Sequence, residues 1–82
     1  MDLSSYSIAP EIQEALYLRK PILAMESTIL AHGMPYPQNV EFALDAQRLV
    51  RQAGVLPAII AILNGKICVG LNENQLSRIT GG

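Results

Sequence analysis

The run Ala58-Ile59-Ile60-Ala61-Ile62-Leu63 is apolar at every position. With no polar residue alternating through it, it does not fit a strand with one solvated face. The pattern predicts a strand buried on both sides, as in a parallel sheet covered by helices. Asn64-Gly65 follows at once and is a strong hairpin signal, so Lys66-Ile67-Cys68-Val69 reads as a returning strand that Gly70 ends. Upstream, Pro21-Ile22-Leu23-Ala24-Met25 is a second apolar run, suited to a buried strand with proline at its first position. A helix is predicted between the two runs, from Pro37 or Gln38 to Ala53, with Gly54 just past its end. Glu41, Asp45, Arg48 and Gln52 share one of its faces, while Val40, Phe42, Ala43, Leu44, Ala46, Leu49, Val50 and Ala53 cover most of the rest. So narrow a polar stripe calls for packing on more than one side. Strand, helix and strand in this order imply a right-handed parallel crossover.

The flanking segments extend the pattern. Residues 1–8 read as a mobile start. Pro10 suits the first turn of a helix, with Ser7 or Ala9 before it, and Ile12, Ala15, Leu16 and Leu18 carry that helix to about Arg19. Lys20-Pro21 ends it, because a residue before proline is pushed out of the α region. His32-Gly33-Met34-Pro35-Tyr36-Pro37 reads as an irregular, stiff loop, with Tyr36 packing as its anchor. Asn72, with Gln75 three residues on and Leu76 and Ile79 behind, is a capping-box start to a third helix. The expected fold class is α/β: helix, strand, helix, strand, hairpin strand, helix, with a parallel strand pair. Two or three strands make an incomplete sheet. Residues 1–82 therefore read as part of a single larger α/β domain, or as a chain that needs partners.

Several function classes are disfavoured. The net charge of -1 leaves no basic surplus for phosphate backbones, so no nucleic-acid partner is expected. Cys68, the one cysteine, gives neither a disulfide framework nor a zinc cluster, and reads as a small buried hydrophobe in a reducing compartment. The longest apolar stretch, Val55 to Leu63, is broken by Pro57 and falls far short of the roughly 20 residues that span a bilayer. The N-terminus lacks the basic and apolar regions of a signal peptide. A soluble, cytoplasmic protein with no membrane partner is expected. No phosphate loop, dinucleotide fingerprint or HExxH pattern occurs.

Glu26 is the first candidate for chemistry. It stands where a predicted strand ends, and open α/β sheets bind ligands beyond the carboxyl ends of their strands. A carboxyl directly after Ile-Leu-Ala-Met is expected to be half desolvated, and desolvation makes a carboxyl a better proton donor at neutral pH. It reads equally as a solvated carboxylate closing a strand. His32, the only imidazole, is either a ligand-binding group or a structural loop histidine. Ser27 and Thr28 could hold a polar ligand or satisfy loop backbone groups. Lys66 reads as an exposed hairpin lysine, and Glu41, Asp45 and Arg48 as a solvated helix face.

At Met25-Glu26-Ser27-Thr28-Ile29-Leu30-Ala31-His32-Gly33-Met34-Pro35-Tyr36-Pro37-Gln38-Asn39 the sequence resembles the pseudouridine-5′-phosphate glycosidase family, also called pseudouridylate synthase. The likeness runs from Pro10 onward, through Gly54-Val55-Leu56-Pro57-Ala58 and Lys66-Ile67-Cys68-Val69-Gly70-Leu71. Met25, where leucine is frequent, and Ala31, where a small hydroxyl residue is frequent, are mild departures. The resemblance implies a glycosidase of the lyase class that reversibly cleaves pseudouridine 5′-phosphate to uracil and ribose 5-phosphate. The bond is carbon–carbon, so a pair of carboxylates acting on a heteroatom leaving group is insufficient. The family is understood to open the ribose and form an imine with a lysine, an electron sink for the cleavage. A glutamate that moves protons matches Glu26, and Ser27, Thr28 and His32 are the expected substrate-binding residues. The resemblance also implies Mn2+, held by an aspartate, and a homo-oligomer, a trimer, at full length. The resemblance implies that the imine lysine, a second, substrate-binding lysine and the metal aspartate lie beyond this stretch; of the lysines here, neither Lys20 nor Lys66 matches the context of the imine lysine. The alternative expectation is an inactive truncated chain that acts at most as an oligomerisation or interaction piece.

Overall fold

The computed structural model describes residues 5–81. The elements in chain order are β1 (Tyr6–Ile8), α1 (Pro10–Tyr17), β2 (Ile22–Glu26), a π-helical turn (Ile29–Gly33), α2 (Gln38–Gln52), β3 (Leu56–Leu63), β4 (Lys66–Val69) and α3 (Glu73–Thr80). One mixed sheet holds the strands in the order β1-β4-β3-β2. β2 and β3 are adjacent and parallel, as expected, and β3 and β4 form the antiparallel hairpin. Asn64 (φ 52°) and Gly65 (φ 74°) both take the positive φ of a tight hairpin turn.

Tyr6–Ile8 corrects the expectation of a mobile start. This segment is a strand, parallel to β4, with Tyr6 in register with Ile67 and Ile8 with Val69. Three residues are too few for hydrophobic periodicity to show, and their partner lies some sixty positions on. The part of that expectation on residues 1–4 lies outside the described residues.

α1 stops at Tyr17 rather than near Arg19. Lys20 N–H donates to Ala15 O (2.9 Å) and Arg19 N–H to Leu16 O (3.3 Å), with Arg19 at φ 57°. This is a Schellman ending with arginine where glycine is usual. β3 begins earlier than expected and contains Pro57. Leu56 N–H donates to Pro21 O, so strand alternation turns the Pro57 nitrogen to the opposite edge, where β4 pairs only from Ile60. The missing donor therefore costs no ladder bond.

The core lies between the sheet and α2 and α3. Leu30, Ala43, Ile59 and Leu76 are buried together, with Met25, Leu71 and Ile79 packed against them. α3 starts with the expected capping box: Asn72 Oδ1 accepts from Gln75 N–H (2.8 Å) and Gln75 Oε1 from Asn72 N–H (2.9 Å). Cys68 is buried, as expected.

Burial is borne out for most of β3, where Pro57, Ala58, Ile59 and Ala61 are buried, but not for β2 or the end of β3. β2 is an edge strand with Leu23, Ala24 and Glu26 exposed, and Ile62 of β3 is 73 % exposed. α2 packs on one side only, leaving Phe42, Leu44 and Leu49 exposed, and Tyr36 is exposed rather than an anchor. An apolar pattern reports which faces want cover; these residues do not supply it all. Among the described residues, no helix is long and apolar enough to cross a membrane.

Candidate functional site

β2 carries Glu26 to its carboxyl end as its last paired residue, in register with Ile60. The chain then reverses within one turn. Ser27 O accepts from Leu30 N–H (3.1 Å) and Ala31 N–H (3.0 Å), and the π-helical turn begins at Ile29. His32 and Gly33, expected in an irregular loop, belong to this turn. Leu30 points into the core while Ala31 and His32 face out.

The reversal brings the sequence candidates together. Glu26, Thr28, Ile29, His32 and Gly33 line one open cleft of about 560 Å³, within the 300–1,000 Å³ range of small-molecule sites. Ser27 joins Glu26, Thr28 and His32 on an adjoining hollow whose apolar wall includes Ile60, Ile62 and Ile79. Carboxylate, hydroxyls and imidazole thus surround one opening beyond a strand end, an arrangement able to bind a polar ligand and move a proton.

Glu26 departs from expectation in its surroundings. It is exposed rather than half desolvated, because β2 is an edge strand and the sheet face beside it is uncovered. Lys20 precedes the start of β2, at the opposite end from Glu26, and Lys66 opens β4 beside Leu63. Neither lysine lines the opening. Among the described residues no group of three or more His, Cys, Asp or Glu converges, so residues 5–81 do not form a donor set that fits a manganese ion.

Asn39, present in the motif that carries the resemblance, takes no role from the sequence pattern. It is 2 % exposed, and its side-chain amide donates to Leu30 O (2.9 Å) and Thr80 O (3.0 Å). An asparagine near a helix start usually signals a cap facing solvent, so nothing in the pattern marks this one as buried.

A family model described as Indigoidine synthase A like protein matches residues 11–81. The chain belongs to this family. Its curated relatives include a pseudouridine-5′-phosphate glycosidase from Arabidopsis thaliana, 49% identical over 93% of this chain. Another of that name, from Clostridium botulinum, is 52% identical over 84% of it. The chain spans 23% and 22% of the lengths of these two family members. Among solved structures, the prealnumycin C-glycosynthase AlnA in complex with ribulose 5-phosphate superposes with a TM-score of 0.76 at 33% identity, covering 92% of this chain and 24% of that one. The α/β architecture is therefore that of part of a larger family fold.

Proposed function

We propose that this chain is the Glu26-bearing part of a pseudouridine-5′-phosphate glycosidase, a cytoplasmic enzyme that reversibly cleaves pseudouridine 5′-phosphate, with water, to uracil and ribose 5-phosphate. The observation that carries this reading is the convergence of Glu26, Thr28 and His32 on one opening at the carboxyl end of β2. Relatives of that name at about half identity support it. So does the likeness to a C-glycosynthase bound to a pentose phosphate.

In this reading Glu26 is the proton-transfer group at the base carbon, and Ser27, Thr28 and His32 hold polar groups of the substrate. The imine-forming lysine and the manganese ligand come from outside these residues. A second reading, favoured by the exposure of Ile62, Leu44 and Leu49, is a chain whose isolated role is self-association.

The test is Glu26→Gln in a full-length family protein carrying this segment. Substrate binding is retained and kcat falls by at least about 10²-fold, as loss of a proton-transfer group does. Uracil release at near-normal rate would sink the assignment.

A further inference from the structure

We propose that Asn39 is a positioning residue for the Glu26–His32 opening: its buried carboxamide closes the ends of two helical segments at once and so fixes the turn that carries His32. The role of the opening rests on the functional reading above; the clamp itself rests on hydrogen bonds.

The π-helical turn ends at Gly33, and Met34 is extended (φ -126°, ψ 142°). At π spacing, Leu30 O would be met by the N–H of residue 35, but Pro35 has none. Thr80 is the last residue of α3, so its carbonyl is also without a helical donor. Both carbonyls lie beside α2, and Asn39 donates one N–H to each, at 2.9 Å and 3.0 Å. Its Oδ1 accepts from Val40 N–H (2.8 Å), so both hydrogens and the oxygen of the amide are used.

Only a carboxamide offers two donors and an acceptor from one short side chain. Aspartate would set a carboxylate against two carbonyl oxygens. Leu30 is 3 % exposed, and its carbonyl sets the direction of the next peptide. Holding that carbonyl fixes where Ala31 and His32 leave the core, and therefore where His32 stands relative to Glu26. α3, whose Ile79 also lines the adjoining hollow, thereby becomes part of the site's support.

The test uses the whole chain and NMR hydrogen exchange, with no dependence on turnover. In the unsubstituted chain both side-chain NH2 protons of Asn39 exchange at least about 10²-fold more slowly than those of exposed Asn74, as buried bonded groups do. In Asn39→Asp, and in the milder Asn39→Ser, the Leu30 and Ala31 amides exchange at least about 10-fold faster relative to the β3–β4 amides. The ring signals of His32, the single histidine, shift or broaden in the same variants. Ile59→Val, which loosens the same core cluster, speeds all amides together and leaves the His32 signals in place. Asn39 NH2 protons that exchange like those of Asn74, in a folded or an unfolded chain, overturn the clamp. So do uniform acceleration and unmoved His32 signals in a folded Asn39 variant. Loss of the glycosidase reading alone leaves these results unchanged, so the two failures are distinguishable.

Discussion

Glu26 stands in register with Ile60 on the last rung of the parallel β2–β3 ladder. Paired residues share a face, and Ile62, two positions further along that face, is 73 % exposed. The candidate carboxylate therefore borders an uncovered apolar sheet face. A compact monomer of 8.9 kDa exposes about 4,800 Å², whereas this chain exposes 5598 Å². The excess is comparable to the roughly 800 Å² that each partner buries in a stable interface.

The first prediction follows from that excess. The chain self-associates with rising concentration, and Ile62→Lys weakens the association. Because Ile62 is exposed, the substitution alters unfolding stability by no more than about 0.5 kcal/mol. Sedimentation measures the first effect and denaturant unfolding the second. A chain that stays monomeric, or an Ile62→Lys variant that associates unchanged, shows that this face does not drive contact.

A second prediction concerns the ion pair joining α1 to the end of α2. Arg51 donates to both carboxylate oxygens of Glu11, at 2.9 Å and 3.0 Å. These hydrogen bonds from Arg51 hold the Glu11 carboxyl below its ordinary value, against a smaller opposing effect of burial. A lowered folded value means that the pair stabilises above the unfolded value of 4.5 and that this contribution is lost as pH falls through the folded value. Both side chains are about half exposed, so solvent screening limits the pair to about 0.2–1 kcal/mol. Glu11→Gln is expected to lower stability by that amount at pH 7 and to match the parent chain in strong acid. A constant difference across pH 2–7 would contradict the ion-pair account.

Local chemistry made much of the fold legible. Asn64-Gly65 specifies its turn through the positive φ it tolerates, and Asn72 with Gln75 specifies a cap through reach alone. The parallel pair follows from two apolar runs separated by a helix. β1 was hidden because three residues carry no period and its partner is remote. The exposure of Glu26 was hidden for a related reason: burial belongs to what covers a strand, and the composition of Ile-Leu-Ala-Met does not say what that is. The grouping of Glu26, Ser27, Thr28 and His32 was readable from closeness in sequence. The part of Asn39 was not, since it depends on the carbonyl of Thr80, forty-one positions away.

Gly70 gives a third prediction. Its φ is +83°, and a Cβ there would lie 2.8 Å from Ile12 Cγ1 and 2.9 Å from Ala9 Cβ. Gly70→Ala thus meets both left-handed backbone strain, about 1–2 kcal/mol, and contact with α1. Thermal unfolding should show a loss of at least about 2 kcal/mol, while Gly54→Ala, with open space around it, should show only the backbone cost. Equal losses at the two sites would mean that α1 does not pack against Gly70 as described.

The last prediction is that these 82 residues alone do not release uracil from pseudouridine 5′-phosphate. Breaking a carbon–carbon bond leaves an electron pair that needs a sink, which an imine to a lysine would supply. The lysines of the chain are Lys20 and Lys66, and neither lines the opening beside Glu26. A carboxylate supplies proton transfer, about 10²–10⁴-fold, against the roughly 10⁶-fold or more by which enzymes accelerate their reactions. Glu26 is exposed here as well, so water competes with substrate for its hydrogen bonds. The purified chain, given manganese and pseudouridine 5′-phosphate, should show no uracil above the uncatalysed rate. Borohydride added with ribose 5-phosphate should trap no adduct specific to Lys20 or Lys66. Turnover that depends on Glu26, or a specific adduct at either lysine, would mean that the chain carries its own electron sink and that a lysine from outside these residues is not required.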